Sequence, residues 1–79
     1  MGLALSGKPV NLGSAMMQKV IGTNISNTGE EIVIPNMTKL LYVTNEITDV
    51  TNEAGTAKNK IKSTSTAGTE DGNILVIFQ

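Results

Sequence analysis

Apolar residues in this sequence come in bursts too short for a stable helix. The tightest are residues 32–34 (IVI), 40–43 (LLYV) and 74–78 (ILVIF), set among Thr, Asn, Ser and Gly. A lone helix needs roughly 12–15 residues to hold in water, whereas a strand needs only about 5–6. Branched side chains in short runs between turn formers therefore point to strands. The expected fold is all-β, a small β-sandwich or barrel-like domain of about 5–7 short antiparallel strands.

Residues 1–14, broken by Gly2, Gly7, Pro9 and Gly13, read as an extended N-terminal arm, and residues 15–79 as a single β domain. Met16, Met17, Val20 and Ile21 admit two readings. Their spacing suits one face of a short helix over 15–21, begun at Ser14 and ended at Gly22. It suits equally a strand over 15–23. Residues 24–29 (NISNTG) form a turn, and residues 31–35 form a strand closed by Pro35, which cannot donate to a ladder. Residues 38–45 (TKLLYVTN) are the clearest strand. Residues 46–51 and 58–65 are expected to pair around Asn52-Glu53-Ala54-Gly55, with Val50 opposite Lys58, Thr48 opposite Lys60 and Glu46 opposite Lys62. Ile47 then meets Ile61 on the other face. Lys58, Lys60 and Lys62, at alternate positions, suit a protected edge strand. Residues 64–69 form a loop, Asp71-Gly72 a turn, and residues 73–79 the closing strand.

Two of these strands are apolar on both faces. In residues 38–45, strict alternation sends Leu40 and Tyr42 one way and Leu41 and Val43 the other. In the last strand Ile74, Val76 and Phe78 oppose Leu75 and Ile77. A strand apolar on both faces has to be covered on both, and a thin sandwich covers only its inner one. The arm or the short 15–21 segment could do this; the reading favoured here is another subunit, with Leu41, Val43, Ile74, Val76 and Phe78 as interface candidates. A terminal strand can also pair across subunits by β-augmentation.

Composition narrows the function. A chain of 79 residues buries only about 60–65% of its unfolded surface, so its core is thin. It has no cysteine for disulfides, and no histidine, which removes nearly every zinc or iron site. Oligomerisation is the remedy left. Tyr42 and Phe78 are its only aromatics. All six basic residues are lysines, against seven acidic residues. Nucleic-acid binding wants a basic excess, arginine forks and stacking rings, so no nucleic-acid partner is expected. No apolar run reaches the roughly 20 residues of a membrane-spanning helix, and the start lacks the pattern of a secretory signal; a soluble protein made in a cytoplasm, with no membrane partner, is expected.

The motifs carry little chemistry. Gly2 to Lys8 matches the opening of a P-loop, but Pro9 stands where a metal-binding hydroxyl belongs and no strand precedes it. Residues 1–6 fit the permissive N-myristoylation pattern at Gly2, without the polybasic patch that one acyl chain needs. The sequons at Asn24 and Asn36 mean little without a secretory signal. The carboxylate pairs Glu30-Glu31 and Glu70-Asp71 read as solvated turn charges. Ser and Thr hydroxyls abound, but no histidine can activate them. No enzyme, catalytic residue, cofactor or metal is expected.

The stretch TGEEIVIPNMTKLLYVTN, with a short strand ending in Pro35, a turn, then a strand of the form L-x-V-T-N, is followed by polar loops and a closing apolar strand. Over residues 28–79 this pattern resembles small all-β virion structural proteins of tailed bacteriophages, of the capsid decoration (cement) type. The resemblance implies a homo-oligomer, foremost a trimer, that sits on the major capsid protein and stabilises the shell of the virion. It carries no active-site residue. The N-terminal stretch and the scarcity of aromatics depart from it. The alternatives are a small carbohydrate- or protein-binding β-module, or a head–tail or tail assembly component.

Overall fold

Branched residues stiff at χ1 recur through the segments that become strands. The computed structural model describes residues 2–46, 50–66 and 70–79. Among them are seven strands: β1 (Gly2–Asn11), β2 (Met16–Ile25), β3 (Glu30–Val33), β4 (Leu40–Asn45), β5 (Val50–Ala54), β6 (Lys60–Ser65) and β7 (Glu70–Phe78). The chain is all-β, as expected. β1, β2, β7 and β4 form one antiparallel sheet in that order, and β3, β6 and β5 form a second.

The two sheets share one core. Val20 and Ile25 enter it from β2, Ile74, Val76 and Phe78 from β7, Val50 from β5 and Ile61 from β6, with Ile34 and Met37 closing one end. Leu3, Met16, Ile32, Leu40 and Val43 pack around it. β1 adjoins β3 and β4 adjoins β5, so each sheet's edges meet the other's.

The N-terminal segment is extended and paired within the chain's own sheet. It is β1, hydrogen-bonded to β2 from Gly2↔Thr23 to Asn11↔Met16. The segment 15–21 is strand, not helix: Met16, Gln18 and Val20 face the core while Met17, Lys19 and Ile21 face out. Its apolar pairs fit both periods, and pairing with two neighbouring strands decides between them.

Bulges account for two further differences. In β1 the register jumps between Ser6 and Val10, so Gly7, Lys8 and Pro9 together oppose Gln18. The Gln18 side chain is 1% exposed and donates from Nε2 to the Ser6 and Gly7 carbonyls, at 3.3 and 3.1 Å, and to Lys19 O at 2.9 Å. One buried amide thus satisfies carbonyls that the bulge removes from the ladder. In β4 the register jumps between Leu40 and Tyr42. Alternation breaks there: Leu40 and Val43 both pack on the core, and Leu41 and Tyr42 are both exposed.

The β5–β6 hairpin differs in register. Val50 pairs with Ser65, Asn52 with Ser63, Glu53 with Lys62 and Ala54 with Ile61. The turn spans residues 55–59, not 52–55, closed by Gly55 N to Lys60 O at 2.8 Å. Lys58 lies in that turn. β6 is the central strand of its sheet, so its lysines do not guard an edge. Glu46 lies instead beside Asn73 of the other sheet. The expected partners Ile47 and Thr48 lie outside the described residues. Asp71 and Gly72 are strand, not turn; Asp71 Oδ1 accepts from Asn24 N at 2.6 Å where β2 bulges.

Pro35 and Asn36 occupy the centre of a turn closed by Met37 N to Ile34 O at 3.1 Å, with Asn36 at φ 66°. Pro followed by a left-handed Asn is the type II pattern.

Gly22 is buried, and a Cβ there would lie 2.5 Å from Ile25 Cδ1. Ile25 is itself fully buried, so it has little room to yield. Gly22→Ala should destabilise the fold by about 1–3 kcal/mol through overpacking, measured by thermal denaturation. An unchanged midpoint would show that Ile25 can move aside.

Candidate interaction surface

The two sheets turn very different outer faces to their surroundings. On the small sheet, Lys62 stands opposite Glu31 on one side and Glu53 on the other, and Thr51 pairs with Thr64. Only Val33, opposite Lys60, is a large exposed apolar group there. Opposite charges in register across three strands suit a face left in water.

The outer face of the large sheet carries a continuous apolar row. The pairings Val10↔Met17, Met17↔Ile77 and Ile77↔Tyr42 draw one apolar row across all four strands. The next row is Ser6, Lys19, Leu75 and Thr44. The third brings Ala4, Ile21 and Asn73 beside Glu46. Tyr42 is 60% exposed, Val10 50% and Ile21 41%, while Met17, Leu75 and Ile77 are half-buried. Leu41 and Leu12, also exposed, extend the apolar surface beyond the rows.

A shallow hollow of about 230 Å³ lies on this face, lined by Lys19, Thr44, Asn45, Glu46, Asn73 and Leu75. Asn73 Nδ2 donates to Glu46 Oε2 at 3.5 Å. Ligand pockets usually hold about 300–1,000 Å³, so the hollow suits a partner's side chain better than an enclosed small molecule. Among the described residues, no group of three or more His, Cys, Asp or Glu side chains could hold a metal ion.

The five residues expected at an interface fall apart into two sets. Ile74, Val76 and Phe78 are 0–1% exposed and fill the chain's own core. Val43 packs against that core. Leu41, at 43%, is the one of the five that reaches the surface. The final strand offers no edge either, since β7 is bonded on both sides by β2 and β4. The outward set on β7 is Leu75 and Ile77. Val10, Met17, Ile21 and Tyr42 complete a surface that sequence reasoning passed over. Its signal was present in the alternation Met17–Lys19–Ile21, once that segment is read as strand.

No family model, no curated protein and no solved structure matches the chain.

Proposed function

We propose that the chain is a non-catalytic assembly protein, a virion structural component of the capsid decoration kind. It works as a homo-oligomer that adds to a larger protein shell and stabilises it. The observation that supports this reading is the contrast between its faces. One sheet presents charges in register, and the other presents an apolar row four strands wide. Soluble proteins seldom leave such a contiguous patch to water unless it meets a partner. The thin core of a chain this short gives association a second role, because a partner bound to the folded state stabilises it by mass action.

Light scattering on the purified protein, followed by co-sedimentation with undecorated phage capsids, tests the proposal. A particle of more than one chain that pellets with the capsids is expected. A well-folded monomer with no affinity for them overturns it.

A further inference from the structure

We infer that the outer face of the large sheet is covered by a second copy of this chain, packed face to face about a two-fold axis that runs along β7. The inference rests on the assembly reading and names the contact through which it begins. Three observations carry it.

The first is size. The molecule measures 36 × 22 × 17 Å. The large sheet is four strands wide with strands of up to ten residues, so at about 4.8 Å per strand and 3.4 Å per residue its face reaches at most roughly 650 Å², within the roughly 600–1,000 Å² per partner of a standard interface.

The second is charge. The three rows of this face carry one cation, Lys19 on β2, and one anion, Glu46 at the end of β4, with β7 between the two strands. A two-fold axis along β7 exchanges β2 with β4. It lays Lys19 over the partner's Thr44, one cross-strand pair along from the partner's Glu46. Symmetry repeats the pairing, so Lys19 and Glu46 on each copy are answered; Asp71, an exposed anion one pair further along β7, accepts from Asn24 N within its own chain. An isologous contact needs this kind of self-complementarity. The two lysines are held apart by two strand spacings, about 9–10 Å.

The third is the apolar row. The same axis lays Tyr42 over the partner's Met17, beside the partner's Val10, and sets Ile77 against the partner's Ile77. The most exposed ring of the face thus enters a slot between two apolar side chains. Leu75, on the floor of the hollow, meets the partner's Leu75. Such a contact closes after two copies, where the virion resemblance implies three.

The absence of native cysteine makes a direct test available. Ile77→Cys places a single thiol on the axis, and Ala57→Cys places one in the exposed turn of the other sheet. With a short bismaleimide at micromolar protein, Ile77→Cys should give covalent dimers and Ala57→Cys should stay monomeric, although its site is the more exposed. Leu75→Cys, also on the axis, serves if Ile77→Cys does not fold. Sedimentation of the wild-type chain separates the two levels of the account. A dimer whose axial cysteines do not cross-link overturns the two-fold geometry and leaves the assembly reading standing. A wild-type monomer overturns the two-fold geometry, and one that also fails to pellet with capsids overturns both.

Discussion

Phe78→Ala is expected to lower the unfolding free energy by about 3–5 kcal/mol, the largest loss of any substitution considered. Phe78 is the chain's only phenylalanine and is 1% exposed. It lies opposite Met16 on one side and Leu40 on the other. Alanine there leaves a cavity at the meeting of three strands. A chain of 79 residues has about 4–12 kcal/mol of stability in all, so the loss is a large fraction of the whole. Urea denaturation measures the loss, and a value under about 1 kcal/mol would mean that the core can collapse around the gap.

Gln18→Ala comes second, at about 2–4 kcal/mol. Packing and hydrogen bonding both contribute. The side chain fills buried space on the inner face of β2, and its Nε2 serves the carbonyls of Ser6 and Gly7 in the β1 bulge. Gln18→Leu separates the two contributions, since it restores volume but supplies no donor. It should recover part of the loss and leave the β1 amides around Gly7 faster in hydrogen exchange than in the wild type. Gln18→Glu places a carboxylate against those carbonyls. Burial raises such a group's pKa, so the folded form binds its proton more tightly than the unfolded form. Relative to the wild type, stability of that variant should therefore rise as the pH falls through its raised folded-state pKa toward the ordinary glutamate value of about 4.3. A flat profile would show that water reaches the bulge.

Much of the fold could be read from residue pattern, and the failures share a cause. The strands at β3 and β4 were legible because their branched and aromatic runs are bounded by turn formers; β7 was legible from its apolar run alone, since Asp71 and Gly72 belong to the strand. Pro35 marked the end of the β3 run, while the type of the turn it begins came from the structure. Bulges leave no mark on alternation. In β4 a strict period of two assigned Leu40 and Val43 to opposite faces, and the jump at Leu41 puts both inside. In the β5–β6 hairpin the inward residues include Asn52, Ser63 and Ser65. With so few apolar positions, register there is weakly specified by hydrophobic pattern. The structure uses a polar inner contact instead, with Ser63 Oγ bonded to Asn52 Oδ1.

The interaction surface was legible only in part, for a related reason. Sequence showed that β7 is apolar on both faces, which is correct. It could not show which face looks inward, because Ile74, Val76 and Phe78 are as hydrophobic a set as Leu75 and Ile77. Sheet order decides this. Placing β7 at the centre of the large sheet, between β2 and β4, sends the set holding Phe78 into the core. It leaves Ile77 and Leu75 in a row with side chains from the other strands. Tyr42 joins that row through Ile77, more than thirty residues away in sequence, and Val10 through its neighbour in the β1–β2 hairpin, Met17.

Sedimentation equilibrium of the wild-type chain beside Tyr42→Lys tests the central claim most directly. Tyr42 is the most exposed large apolar side chain of the described residues, so its replacement should leave the far-ultraviolet circular dichroism unchanged. The wild type is expected to sediment as an oligomer, and Tyr42→Lys as a folded monomer at the same concentration. A monomeric wild type, or a variant that associates as strongly as the wild type, would contradict an assembly role for this face.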